Sequence, residues 1–218
     1  MRVVLYAEGP NETGFVESPS AHDRRVLSAE ELGPGHVLTR RVIVHATGRD
    51  ELPVRFAAPL LHRGRIATGS QLLDFHVLPR LLTWGEPKLA PDLVIVLVDS
   101  DGVTARRSQL RSIVDGMGSA LPVVVAVAVQ EFEAWCFADT KLWNRIVGSV
   151  VDQPGDPEKW KPGEAKQRFT SLISSSKAEQ HAVRLQLAQE IDLDSIERTC
   201  SSFRQFLDDL KHANKAIA

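Results

Sequence analysis

The sequence predicts an α/β protein built on an open, mainly parallel β-sheet flanked by helices, with a helical C-terminal lobe. Leu93–Val98 and Val123–Val129 are apolar at every position, as expected for strands covered on both faces. Between them, Thr104–Met117 has the pattern of a helix, and this alternation favours a parallel sheet. The chain has 218 residues, 43% hydrophobic and 25% charged, which is enough for one sizeable core.

The first part of the chain supplies further sheet and helix elements. We predict a strand at Arg2–Ala7, a helical segment from residue 12 to about 32, strands at Val37–Ala46 and Leu52–Ala57, and a helix at Thr68–Leu82. Pro19 interrupts the helical segment, Pro53 confines its strand to a sheet edge, and Pro79 bends or ends its helix.

The character of the sequence changes after Asp139. Residues 150–163 hold three prolines and two glycines and are predicted to form a loop. Helices are expected at Glu164–Ile173, Ala178–Glu190 and Ser195–Lys211. We therefore divide the chain into an α/β core, residues 1–139, and a loop plus helical extension, residues 140–218, packed on that core.

Composition excludes several classes of protein. The apolar runs are far shorter than the roughly 18 residues of a membrane span, and the acidic turn after the first strand is unlike a signal peptide. Cys136 and Cys200 lack metal-ligand spacing, which indicates reduced thiols in a cytoplasmic protein. The net charge of -2 does not indicate a basic nucleic-acid module. The seven histidines lack the spacing of a zinc hydrolase.

Acidic residues follow three of the predicted strands. Ligands of an open parallel sheet bind beyond the carboxyl ends of its strands. Carboxylates gathered there repel one another, and Mg²⁺ or Mn²⁺ would compensate their charge with hard oxygen ligands. The candidate metal ligands are Glu8, Glu12, Asp99, Asp101, Glu131 and Glu133. Acids at strand ends also cap helices, and Asp101 could serve only that role.

Two segments resemble the Toprim fold. They are Tyr6-Ala7-Glu8-Gly9-Pro10-Asn11-Glu12 and Val98-Asp99-Ser100-Asp101-Gly102, a glutamate after the first strand and an Asp-x-Asp after a later one. The second glutamate, four residues on, is similar to that of overcoming-lysogenization-defect (OLD) nucleases. The segment from Gln130 to Trp135, with Asp139, Lys177 and the stretch from Ser202 to Leu207, resembles the Toprim-like family catalogued as domain of unknown function 4276.

This resemblance implies a Toprim-like fold and a magnesium-dependent nuclease acting on DNA or RNA. Glu8 would be a metal ligand or general base, and Asp99 and Asp101 the metal-binding pair. Lys177 would neutralise the scissile phosphate. Other roles are implied for Glu12 as the additional OLD-type acid, Glu131 and Glu133 as the acidic stretch, and Arg106 and Arg107 as phosphate-binding residues. The single tyrosine, Tyr6, lies within a strand, which disfavours covalent strand passage.

Partners and rival functions are also implied. The segment from Gly64 to Ser70 lacks the lysine of a phosphate-binding P-loop, so an ATPase would be a separate polypeptide. The resemblance implies an ABC-type, OLD-like ATPase partner in an antiviral defence system, with no membrane association. A non-catalytic, metal-binding adaptor or regulatory subunit of an ATPase complex is the alternative, and nucleotidyl transfer by the same acids is a second enzymatic one. Homo-oligomerisation stays open.

Overall fold

The computed structural model describes residues 1–13, 26–62, 65–83, 91–118, 121–151, 155–173 and 176–217. The strands in these ranges are β1 (Arg2–Ala7), β2 (Arg55–Ala57), β3 (Leu61–His62), β4 (Arg65–Ile66), β5 (Leu93–Asp99) and β6 (Val123–Ala128). The helices are α1 (Pro10–Thr13), α2 (Pro34–Thr47), α3 (Val77–Thr83), α4 (Arg106–Gly116), α5 (Phe132–Cys136), α6 (Thr140–Val147), α7 (Glu164–Leu172), α8 (Lys177–Glu190), α9 (Leu193–Thr199) and α10 (Ser201–Ile217). Short 3₁₀ turns occupy Ala29–Glu31, Gly69–Leu73 and Pro157–Lys159.

The central sheet has four strands in the order β2-β1-β5-β6, and all of its pairings are parallel. Leu5 pairs with Ile95, and Ile95 pairs with Val124. β5 is buried at all seven positions, as its apolar sequence predicts for a strand covered on both sides. The expected open parallel α/β sheet is confirmed. β3 and β4 form a separate antiparallel pair.

Helices cover both faces of this sheet, because successive side chains of a strand point to opposite faces. Leu5 and Ile95 lie in a core with apolar residues of α2, α5, α8 and α10. Tyr6 and Val96 lie in a second core with residues of α3 and α4. The C-terminal helices therefore pack on one face of the sheet. In the ranges described, no helix is both long and apolar enough to cross a membrane.

The prediction of a strand at Val37–Ala46 is wrong, because this segment lies within helix α2. Its β-branched residues suggested a strand, but the signals at its ends are those of a helix. Pro34 occupies the first helical turn, and Gly48 ends the helix in the left-handed conformation with φ 63°. Leu38, Val42 and Ile43 share its buried face.

Other boundaries differ in detail. The predicted strand at Leu52–Ala57 is the shorter edge strand β2, which begins after Pro53. Thr68–Leu82 is a 3₁₀ turn followed by α3, and Ser195–Lys211 is divided at Cys200 into α9 and α10. Of the predicted segment from 12 to 32, helix α1 and a 3₁₀ turn are seen, while Pro19 lies outside the described residues.

Candidate metal centre

Three strand ends meet around Asp99. Glu8 follows β1, Asp99 ends β5, and Glu131 precedes α5 after β6. The backbone N–H of Asp99 donates to Glu8 Oε2 at 2.8 Å, and Asp99 Oδ1 accepts from the N–H of Phe132 at 2.8 Å. Asp99 and Glu131 are buried, and Glu8 is half-buried. The parallel topology thus brings these predicted acids together at one edge of the sheet.

Glu12 adds a buried carboxylate from helix α1. Burial, and then the nearby Asp99 and Glu133, raise the pKa of Glu12 from 4.5 to about 8. Helix α2 packs closely on this turn, because a Cβ at Gly35 would lie 2.8 Å from the carbonyl oxygen of Glu12. A glycine is therefore needed where α2 meets α1.

Glu133, in the first turn of α5, is fully buried and has one cationic partner. Its Oε1 accepts a hydrogen bond from Arg184 Nε at 3.0 Å and lies 2.9 Å from Nη2 of the same guanidinium in an ion pair. Its Oε2 has no hydrogen-bond partner within the described part of the chain. The Arg184 guanidinium stands over the ring of Phe169, 4.1 Å from its centroid.

Lys166 of helix α7 is the second cation at these acids. Its Nζ lies 2.9 Å from Asp99 Oδ2 and 3.5 Å from Glu131 Oε1, and its backbone N–H donates to Glu131 Oε2 at 2.9 Å. Partial burial alone would lower the pKa of Lys166, but Asp99, Glu133 and Glu131 raise it above its usual range. Lys166 is thus a protonated, 40% exposed side chain that reaches the buried acids from the C-terminal part of the chain.

Asp99 has a carboxyl group that ionises less readily than an ordinary aspartate. Burial raises its pKa from 3.8 to about 7, against the opposing effect of the Lys166 ammonium, while Glu133 and Glu8 raise it further. In both Asp99 and Glu12 burial is the largest cause of the raised pKa, and neighbouring carboxylates raise it further.

The structure places Lys166 and Arg184 at the acids, rather than Lys177, which the family resemblance implied. Lys177 is the exposed first residue of α8. Arg184, seven residues later on the same helix, reaches Glu133, and Lys166 reaches Asp99. Neither cation has a local motif, since each is a single basic residue far along the chain from its partners.

The two aspartates of the predicted Asp-x-Asp pair differ in their exposure to solvent. Asp99 is buried, whereas Asp101 lies on an exposed turn with φ 47°. Its N–H donates to the carbonyl of Gln130 at 3.1 Å, and Gln130 also has a positive φ, of 66°. Gly102 continues the turn at φ 77°, as its sequence position suggests.

The two predicted phosphate-binding arginines lie on helix α4. Arg106 is its first residue, and its N–H donates to the carbonyl of Val103. Arg107 forms an ion pair with Asp209 of α10 at 2.7 Å, and Arg111 contacts the other oxygen of Asp209, also at 2.7 Å. Arg107 therefore links α4 to α10 next to the strand ends.

The donor set fits a hard divalent cation by its chemistry. Five carboxylates, those of Glu8, Glu12, Asp99, Glu131 and Glu133, face two cations, so full ionisation would leave an excess of three negative charges. Cation binding at Asp99 requires Lys166 to move, because its ammonium group occupies Oδ2. The ligand atoms of these five acids do not already form a group of three within 4.8 Å of one another. Among the described residues, such a group lies elsewhere, at His45, Asp194 and Glu197 near the surface.

A family described as Domain of unknown function (DUF4276) matches residues 42–211. The chain belongs to the DUF4276 family. Neither the curated proteins nor the solved structures give a match to it. The DUF4276 segment contains Asp99, Glu131, Glu133 and both cations of the site, whereas Glu8 and Glu12 precede it.

Proposed function

We propose that this DUF4276 protein is a Mg²⁺- or Mn²⁺-dependent nuclease that hydrolyses phosphodiester bonds of DNA or RNA. The observation that supports the proposal is the excess of buried carboxylates around Asp99, at the carboxyl edge of a parallel sheet. Glu133 Oε2 has no partner in the described residues, and burial together with Asp99 and Glu133 raises the pKa of Glu12 to about 8, so a divalent cation would favour the ionised form of these acids.

The metal would be held by Glu8, Glu12, Asp99, Glu131 and Glu133, with Asp101 at the exposed rim. When bound, a divalent ion lowers the pKa of a coordinated water and stabilises negative charge on the leaving oxygen. With a pKa of about 8, Glu12 is mostly protonated at neutral pH, and as a metal ligand its carboxyl group would have to release that proton.

Lys166 takes the role that the sequence assigned to Lys177. Its side chain is long, protonated and partly exposed, so it can move from Asp99 to the phosphate of a substrate. In that position it would neutralise the negative charge of the scissile phosphate.

We propose a cytoplasmic setting and a separately encoded ABC-type ATPase partner in antiviral defence. The first is supported by Cys136 and Cys200, which are free thiols in the core. The second is supported only by the resemblance to OLD nucleases. Co-purification of the chain with the product of an adjacent ATPase gene tests the partner directly.

The central test measures cleavage of DNA and of RNA by purified variants in Mg²⁺, in Mn²⁺ and in EDTA. Asp99→Asn removes a charge with little change of shape, and we expect at least a 100-fold loss of cleavage. Glu190→Gln, which breaks an exposed ion pair with Arg145, is the control and should cut at the wild-type rate. Thermal melting establishes that both variants are folded. Native-rate cutting by the double variant D99N/D101N contradicts the proposal, and so does cation binding without any cleavage.

A matched pair of lysine variants tests the phosphate role. Lys166→Met should lower cleavage at least 10-fold and tighten Mn²⁺ binding in calorimetry, because Asp99 loses its competing cation. Lys177→Met should leave both quantities within twofold of wild type. The reverse order of effects would restore Lys177 and exclude Lys166.

A further inference from the structure

A small cavity lies next to the strand ends, between the turn after β5 and the start of α10. Its volume is about 250 Å³, and its lining includes Ser100, Thr104, Arg107, Val127, Gln130 and Gln205. Ser100 directly follows Asp99, so the cavity adjoins the candidate metal centre. Pockets that enclose drug-sized ligands measure roughly 300–1,000 Å³, so this one has room for a single ring system.

Gln130 lines this cavity and has a side-chain oxygen without a hydrogen-bond partner among the residues that the structure describes. Its backbone is fixed, because its N–H donates to Ser100 Oγ at 2.8 Å and its carbonyl accepts from the Asp101 N–H at 3.1 Å. Its side-chain Oε1 is buried, and no partner is found for it in the described ranges. A buried amide oxygen without a partner is costly, and it is satisfied by a ligand that brings an N–H donor.

The backbone of Gln130 supports the same conclusion. Its φ of 66° is the left-handed conformation, which glycine adopts without strain and glutamine does not. A glutamine in a strained conformation at a strand end, where glycine would be relaxed, is consistent with a use for its side chain.

Positive charge is available at the wall of the cavity. Arg107 and Arg111 both contact the single carboxylate of Asp209. The two arginines therefore carry one positive charge more than Asp209 neutralises. Arg107 lines the cavity, whereas Arg111 is not among its lining residues. An anionic group bound at the opening would therefore contact Arg107, which is suited to phosphate.

We propose that the cavity binds one nucleotide of the nucleic-acid substrate, with the base inside and the phosphate at Arg107. A nucleobase has flat apolar faces for Val127 and N–H groups for the Gln130 amide. The identity of the ligand rests on the proposed nuclease function, because a substrate strand held here would lead directly to Asp99.

The test is titration of the protein with each of the four ribonucleoside 5′-monophosphates, and with inorganic phosphate, in EDTA. We expect at least one nucleotide to bind at least tenfold more tightly than phosphate, measured by calorimetry or ligand-observed NMR. Gln130→Gly removes the amide and relieves the strained backbone, so it should weaken nucleotide binding at least fivefold without lowering the melting temperature. Arg107→Met should weaken binding at least fivefold as well.

Arg145→Met is the control, because it removes an arginine from an exposed ion pair with Glu190 and does not touch the lining of the cavity. It should bind the nucleotide within twofold of wild type. The inference is overturned if no nucleotide binds at millimolar concentration, or if Q130G and R107M bind as wild type does. Such a result leaves metal-dependent cleavage standing, whereas nucleotide binding by a protein that never cleaves would contradict the nuclease proposal and retain the cavity as a nucleotide site.

Discussion

Glu12 makes the stability of this protein depend on pH. Its pKa is about 8 in the folded protein and 4.5 as an ordinary glutamate, so between these values the native state holds a proton that the unfolded chain releases. The stability that the proton on Glu12 contributes is therefore fully present below about pH 4.5, and it is lost as the pH rises toward 8. Asp99 acts in the same direction between 3.8 and about 7.

We expect the metal-free protein to lose stability, of the order of a few kcal/mol, between pH 5 and pH 8.5. Glu12→Gln should flatten this dependence and should be more stable than wild type at pH 8, because a neutral amide has no proton to lose. Urea unfolding in EDTA across this range measures both. A Glu12→Gln variant with the same pH dependence as wild type would show that Glu12 is not held in its neutral form. This comparison removes the opposing effect of His36, whose buried side chain has a pKa lowered to about 4.

At this scale the sequence predicts the five acids of the site but neither of its two cations. Glu8, Asp99 and Glu131 could be placed together because parallel neighbouring strands end at one edge. Lys166 and Arg184 could not, because the contact of a helix with a strand end depends on packing between segments distant in the chain. Asp101 shows the same limit, since its exposure follows from the left-handed turn.

Between elements, the Glu133–Arg184 pair connects α5 to α8 inside the protein. Both side chains are buried, at 0% and 8% exposure, so loss of either partner leaves a charge in a poorly solvated environment. Arg145 and Glu190, by contrast, form an ion pair whose two charges stay exposed to solvent.

Arg184→Met should lower the free energy of unfolding by about 3–5 kcal/mol, because Glu133 then stays buried without its partner. Arg145→Met, the exposed control, should cost about 0–1 kcal/mol. Urea denaturation at pH 7 gives both values. The double variant E133Q/R184M should recover part of the loss, and equal effects of the two arginine substitutions would contradict a buried role for Arg184.

At the scale of elements, strands that are covered on both faces of the sheet are predictable from the sequence. β5 and β6 were recognisable from their unbroken apolar runs, because both faces of the sheet are covered. Helix α2 was not, since its Val and Ile content matches a strand and only its end signals, Pro34 and Gly48, favour a helix.

On the scale of the whole molecule, the sheet depends on the C-terminal part of the chain. Phe203, Phe206 and Leu207 of α10 are buried in the same core as Leu5 and Ile95. The separation at residue 139, predicted from sequence, therefore falls between segments that share a core.

We expect a fragment of residues 1–139 not to fold alone, because one apolar face of its sheet would be exposed to water. Circular dichroism with thermal melting should show a cooperative transition for the full chain and none for the fragment. A cooperative transition in the fragment would instead establish residues 1–139 as an independent domain.

The order in which the site residues occur has a consequence for biosynthesis. Lys166 and Arg184 leave the ribosome after every acid that they contact, from Glu8 to Glu133. A nascent chain therefore carries these carboxylates before Lys166 and Arg184 have been added. A prematurely terminated product that lacks α7 and α8 cannot form the complete centre, so its assembly is confined to chains in which both helices have been translated.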